Sequence, residues 1–133
     1  MRKIKFRGKR IDNGEWVVGS LINKIKPTEI EDVFWASLIH DGALTAVEVN
    51  PETVGQFTGL HDKNGVEVWE GDIVRCGYGV GQVIYNAGCF MVQWIDDKEA
   101  YMEFFFSKKG MYARKDDELF EIIGNVFDNP ELL

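Results

Sequence analysis

The fold is decided by TGLHDKNGVEVWEGDIVR, residues 58–75 of the chain. This stretch holds two turn signals, DKNG at 62–65 and EGD at 70–72, and short apolar runs flank both of them. Asp, Asn and Gly are typical of tight turns, and the four-residue tip suits a type I turn followed by a bulge with Gly65 in the left-handed region. The stretch therefore predicts strands over residues 56–60, 66–69 and 73–76.

Short apolar runs separated by turns continue along the rest of the chain. They predict further strands over residues 1–7, 16–22, 32–40, 46–49, 82–85, 90–95 and 118–123. Residues 24–31 and 77–81 are predicted to be loops, and residues 100–107 form either a strand or a short helix. Asn before Pro, at Asn50 and again at Asn129, predicts two single helical turns. Because no segment has the apolar period of a longer helix, the fold class is all-β, built of short-stranded hairpins with at most short helical turns.

Composition and cysteine content indicate a globular, cytoplasmic chain. Of the 133 residues, 45% are hydrophobic and 13% aromatic, which is enough for a buried core. The apolar run over residues 76–95 is broken by polar residues and glycines, and no apolar stretch follows the basic N-terminal residues, so neither a membrane span nor a signal peptide is expected. Cys76 and Cys89 are predicted to be free thiols, and a bridge across two neighbouring strands is the alternative.

Charge is distributed unevenly along the chain. The net charge is −7, residues 1–10 carry +6, and the remainder therefore carries −13 (−7 minus +6). An acidic body repels phosphate backbones, so this balance disfavours nucleic acid. The basic strip could attract nucleic acid, but it is expected rather to face solvent or to lie against acidic surface of the same chain or of a sister chain. The candidate interaction surface combines the strip with an aromatic residue in the glycine-rich loop: Arg2, Lys3, Lys5, Arg7 and Tyr78.

Four pieces of the sequence carry a family resemblance. They are IKFR at residues 4–7, TGLxDKNG at 58–65, WEGDIV at 69–74 and IGNVxxNPELL at 123–133. Together, and in this order over almost the whole length, they make the chain resemble the YopX family of phage and prophage proteins. The resemblance implies a β-rich fold with an SH3-like barrel in the C-terminal half and a viral or prophage origin. It implies no enzyme activity, cofactor or catalytic set.

The spacing of glycines between residues 71 and 84 agrees with a small barrel. A strand, a glycine-rich gap and a second strand follow one another there, and small barrels need glycine where strands bend at corners. We therefore expect a β-hairpin subdomain over residues 1–55 and an SH3-like β-barrel subdomain over residues 56–133. The two are packed together or form a single domain.

No residue pattern in the chain predicts catalysis. Glu70 and Asp72 are expected to be turn residues, with Asp72 accepting backbone N–H bonds and Glu70 solvated. His40 and His61 have no partners at metal-ligand spacing, so no metal site, cofactor site or catalytic residue is predicted. The four tryptophans are expected to be core residues rather than a stacking platform: Trp16, Trp35, Trp69 and Trp94.

The favoured function is a non-enzymatic protein-interaction or self-assembling module. Short strands with edges that can pair, and a basic first strand on an acidic body, favour a protein partner or a homo-oligomer. The alternative is a nucleic-acid-binding barrel that uses the basic N-terminal strand. An enzyme that uses carboxylates and a histidine is the third hypothesis, and no membrane partner is expected.

Overall fold

The computed structural model describes residues 3–25, 32–40, 43–76, 79–95, 101–103 and 120–133. The strands are β1 (Phe6–Lys9), β2 (Trp16–Ile25), β3 (Asp32–His40), β4 (Ala43–Val49), β5 (Gly55–His61), β6 (Glu67–Trp69), β7 (Asp72–Cys76), β8 (Gly79–Asn86), β9 (Cys89–Trp94), β10 (Tyr101–Glu103) and β11 (Glu121–Asn125). Within these ranges the helices are single 3-10 turns at Pro51–Thr53 and Pro130–Leu132, which confirms the all-β prediction.

The strands form two antiparallel sheets. The first has the order β4-β3-β2-β1-β5-β6, and the second has the order β10-β9-β8-β7-β11. The chain divides into two compact units, residues 1–57 and residues 58–133. An SH3-like closure of the second unit stays a prediction. None of the residues placed by the structure belongs to a helix with the length and apolar character needed to span a membrane.

In the first unit the ends of β1 and β4 meet. Arg10 and Val49 form an antiparallel bridge, and the Asn50 amide donates to the Lys9 carbonyl at 2.8 Å. Val49 is buried and lies against Gly8, where an added Cβ would come within 3.0 Å of the valine Cβ, so glycine permits this approach. Since β1 to β4 also pair in sequence order, this bridge brings the first and the last of the four strands together at one end.

The predicted helical turn at Asn50 is confirmed. The Asn50 side chain accepts from the Glu52 amide at 3.1 Å, and Pro51 occupies the first helical position. Thr53, at the end of the turn, accepts from the Lys9 amide through its hydroxyl at 2.9 Å. The turn therefore fixes the end of β1 as well as the start of β5.

The core of the second unit consists of small β-branched side chains from several strands and one aromatic ring. Its buried members are Val68, Val74, Val83, Val92 and Phe120. Trp69 is also buried, as predicted, with 6% of its surface exposed. Valines on alternate positions of paired strands fill a thin space, and the half-buried Phe90 and Trp94 pack against its margin.

The structure corrects several predicted boundaries. The first strand begins at Phe6 rather than at residue 1, and Ile4, which precedes it, is exposed. Strand β2 continues to Ile25, into the predicted loop over residues 24–31, of which residues 26–31 lie outside the described residues. The last long strand, β11, occupies Glu121–Asn125.

The glycine-rich stretch 77–81 was wrongly predicted to be a loop throughout. Gly79 and Gly81 belong to β8, where Gly81 pairs with Trp94 and Val74. An added Cβ at Gly81 would overlap the Val92 side chain and lie 2.9 Å from the Gln93 carbonyl oxygen. Gly81 is therefore required by close packing inside the sheet.

Candidate interaction surface

Strand periodicity places three cationic side chains on one face of the first sheet. Lys5, Arg7 and Lys9 stand at alternate positions in and directly before β1, so they point to the same side. Antiparallel pairing sets Val18 opposite Arg7 and Trp16 opposite Lys9 on β2. We call these five residues the basic face.

Aromatic rings lie under each of the three cations. The Arg7 guanidinium carbon is 4.6 Å from the centre of the Trp16 ring, and Lys9 Nζ is 5.5 Å from it. Lys5 Nζ is 4.7 Å from the centre of the Phe57 ring, on the neighbouring strand β5. Each such contact contributes about 0.5–1 kcal/mol and limits the rotamers of a long side chain. The charges are therefore held at fixed positions on a half-buried surface.

Apolar side chains are exposed beside the cations. Val18, within the basic face, is 42% exposed, and Ile4 and Ile11 on either side of β1 are also exposed. Arginine and tryptophan next to exposed aliphatic groups are typical of protein–protein interfaces. The surface can therefore form both charged and apolar contacts with a partner.

Arg10, at the end of the basic strip, is paired with an acidic residue of the turn that follows it. Its guanidinium donates two hydrogen bonds to Asp12, at 2.8 and 2.6 Å. The hydrogen bonding by Arg10 lowers the pKa of Asp12 below its ordinary value. The charge of Arg10 is thus compensated within the turn, and Arg10 is not part of the basic face.

The predicted interaction residues are only partly described. Lys3 is exposed and precedes β1, while Lys5 and Arg7 belong to the basic face. Arg2 and Tyr78 lie outside the described residues. The prediction omitted Lys9 and Trp16, whose pairing depends on the register of β1 and β2.

The carboxylates of the motif stretch have structural roles. Asp72 is buried and accepts from the Trp69 amide at 2.7 Å, as the turn prediction expected, but Glu70 is half-buried rather than solvated. Asp62 accepts from the amides of three residues, two in its own turn and one in β11: Asn64, Val66 and Ile122. Burial raises the pKa of Asp62, and these hydrogen bonds lower it further than burial raises it, so the pKa lies below its ordinary value.

A second charged cluster lies on β7 and β11. Glu121 accepts a hydrogen bond from Arg75 and pairs with Lys63 Nζ at 3.1 Å. The hydrogen bonds from Arg75 and Lys63 lower the pKa of Glu121 below its ordinary value. Opposite charges on neighbouring strands stabilise a sheet modestly, so this cluster supports the pairing of β7 with β11.

Cys89 and His61 are the cysteine and the histidine whose side chains the structure describes, and they form no recognisable reactive centre. Cys89 is a free thiol whose Sγ donates to the Asn86 carbonyl oxygen at 3.4 Å, so the alternative of a disulfide is not realised. His61 is exposed, and the side chain of His40 lies outside the described part. Where the structure places side chains, it brings together no group of three or more His, Cys, Asp or Glu that could hold a metal ion.

The fold and the surface describe an all-β protein of two units with one basic, aromatic-backed face. A family model described as YopX protein matches residues 5–133, so the chain belongs to the YopX family. The crystal structure of protein EF1440 from Enterococcus faecalis is similar, with 22% identity, a TM-score of 0.57, and coverage of 100% of this chain and 99% of that chain. At this identity the similarity concerns the fold alone. A comparison with curated proteins found no match.

Proposed function

We propose that this YopX protein is a non-enzymatic interaction module, of phage or prophage origin, that binds an acidic protein surface through its basic face. The observation that carries the proposal is the arrangement of Lys5, Arg7 and Lys9, held by aromatic rings on one face of a chain that is otherwise acidic. Preformed charges steer an oppositely charged partner and lose little side-chain entropy when it binds.

Two features favour a protein over a nucleic acid. The Trp16 ring already stacks with two cations, which leaves less of its surface for a base. Exposed Val18 offers an apolar contact that a phosphate backbone does not match.

Fluorescence anisotropy with two labelled probes tests the proposal. Polyglutamate represents an acidic polypeptide, and oligothymidylate represents the nucleic-acid alternative. We expect polyglutamate to bind more tightly, and its binding to weaken as NaCl rises from about 0.05 to 0.5 M. Absence of polyglutamate binding overturns the proposal, and tighter, steeply salt-dependent binding of oligothymidylate supports the alternative instead.

Matched variants locate the binding surface. Lys5→Gln/Lys9→Gln removes two charges from the basic face, and Lys63→Gln removes one from the cluster with Glu121 in the other unit. We expect the double variant to weaken polyglutamate binding about tenfold or more, and the Lys63 variant to bind like the parent. Circular dichroism confirms that each variant is folded. Equal losses in both variants would show that the binding is not located on the basic face.

A further inference from the structure

Residues 128–133 form a second exposed surface, which we call the acidic-apolar segment. Leu132 and Leu133 are 36% and 53% exposed, and the acidic residues Asp128 and Glu131 are exposed beside them. The carboxylates of this segment are opposite in charge to the cations of the basic face. Its two exposed leucines are apolar, like the exposed valine of that face. Together these side chains therefore form a surface of complementary charge and similar polarity.

Hydrogen bonds hold the acidic-apolar segment in a defined shape. Asn125 Oδ1 accepts from the amides of Phe127 and Asp128 at 3.1 and 2.9 Å, and Asn129 Oδ1 accepts from the Asn125 amide at 3.2 Å. The Leu132 amide donates to the Asn129 carbonyl at 3.1 Å, which closes the 3-10 turn. A segment fixed in this way loses little entropy on binding.

The C-terminal motif, residues 123–133, packs closely within the fold in its first part, whereas its last two side chains remain exposed. Gly124 lies against Asn129, where an added Cβ would come within 2.6 Å of Oδ1, and the Val126 amide donates to the Gly71 carbonyl at 2.9 Å. These contacts account for residues 124–129. Leu132 and Leu133 are exposed, so packing does not account for them.

Charge indicates which partner this surface fits. Residues 1–57 hold eight Lys or Arg and eight Asp or Glu, a net charge of zero, whereas residues 58–133 have a net charge of −7. Resting on the proposed function, we infer that the acidic-apolar segment of one copy binds the basic face of a second copy. Asp128 and Glu131 then meet the cations, and the two leucines meet Val18.

Such a contact is heterologous, because the two surfaces that meet are different. A bound pair still presents one unused basic face on one copy and one unused acidic-apolar segment on the other, so association continues into a ring or a chain. The interface is small, and small charged interfaces are weak and sensitive to salt. Sedimentation velocity should show a mean mass that rises with concentration and falls as NaCl increases.

Two charge reversals and their mixture test the head-to-tail contact. Lys9→Glu alters the basic face, Glu131→Lys alters the segment, and each alone should raise the dissociation constant at least tenfold, about 1.4 kcal/mol. Mixing the two variants should restore association, because the intact segment of the first fits the intact basic face of the second.

Further variants keep the test decisive if a charge reversal impairs folding. Val18→Ser on the basic face and Leu133→Ser in the segment should each weaken association, while Val66→Ser, at another exposed valine of the second unit, should not. Wild-type protein that is monomeric at every concentration overturns the inference, and so does a mixture of the two charge variants that stays monomeric. If wild-type is monomeric but still binds polyglutamate through the basic face, the inference fails and the proposed function stands.

Discussion

The Asp62 carboxylate has two roles in the second unit: it closes the turn at residues 62–65, and it connects this turn to β11. Replacing Asp62 with asparagine tests the two roles separately. One carboxylate oxygen, Oδ1, accepts from the Asn64 and Val66 amides at 2.9 Å and closes the turn. The other, Oδ2, accepts from the Ile122 amide at 3.1 Å and thereby connects the turn to β11, sixty positions further along the chain. The Lys63 amide donates to the Phe120 carbonyl at 3.0 Å and strengthens the same connection.

Asp62→Asn should retain the turn and lose the connection to β11. An amide has one oxygen, so if this oxygen stays with the turn, the NH₂ group faces the N–H of Ile122. The lost bond involves a charged acceptor in a buried position, and the Ile122 amide loses its partner. We therefore expect the free energy of unfolding to fall by roughly 1.5–3 kcal/mol at neutral pH.

The measurement is urea denaturation followed by tryptophan fluorescence, because buried Trp69 reports on the second unit. Asp12→Asn is the matched control: that carboxylate is exposed and bonds only within its own turn, so we expect little change. Asp62→Ala loses both roles. Its effect should be only slightly larger than that of Asp62→Asn, because Asn64 and Val66 are exposed and water can reach their amides.

Acid should remove the difference between wild-type and Asp62→Asn. The folded-state pKa of Asp62 is lowered below its ordinary value of 3.8, so ionised Asp62 stabilises the folded chain fully above that value. This stabilisation is lost as the pH falls through the folded-state pKa, where the carboxyl of the wild-type protonates. The difference in unfolding free energy should therefore be constant from neutral pH down to about pH 5 and then shrink. Equal stability of the two proteins at pH 7, or a difference that grows on acidification, would refute this reasoning.

Substitutions at three further positions test the packing and the turn of the second unit by urea denaturation. Trp69→Ala, followed by circular dichroism because the fluorescent side chain is removed, should lower the unfolding free energy by roughly 3–5 kcal/mol since Trp69 is buried, and an unchanged midpoint would show that Trp69 contributes little to the core. Gly81→Ala should lower it by about 1–3 kcal/mol, since the new methyl group overlaps Val92, and tolerance would contradict the packing of β8 on β9. Gly65→Val should destabilise the turn and Gly65→Asn much less, because φ is 80° at this position and asparagine adopts positive φ more readily; equal effects of the two would exclude a conformational cause.

Local chemistry made parts of the fold predictable from the sequence. The turn at residues 62–65 and the helical turn after Asn50 were predicted because Asp, Asn, Gly and Pro favour particular backbone conformations through their own side chains and rings. Gly65 has the positive φ that its place in the turn required. Such features depend on a few neighbouring residues, so one sequence suffices to identify them.

Features that depend on distant residues were not predictable in this way. The bridge between Arg10 and Val49 brings the ends of β1 and β4 together, and no local sequence pattern links these two residues. In the sequence Gly81 cannot be distinguished from a loop glycine. Only its contact with Val92 in the structure shows that a side chain at this position would disturb the packing. The basic face was found in part, because strand alternation groups Lys5 with Arg7, but the stacking of Arg7 on Trp16 became visible only with the register of β1 and β2.

The turn residues of the family motifs serve the fold, which explains why they do not reveal a function. Four of these residues use their hydrogen-bonding groups or their backbone freedom in turns next to strands of the second unit: Asp62, Gly71, Asp72 and Asn129. A residue that is buried and fully hydrogen-bonded within the fold has little left to offer a ligand. Residues able to contact a partner must therefore lie where the fold leaves charge and apolar surface exposed, and the basic face and the acidic-apolar segment meet that condition. Variants at Asp62, Gly71 and Asp72 should consequently change stability, whereas variants at these two surfaces should change association and leave the unfolding midpoint nearly the same.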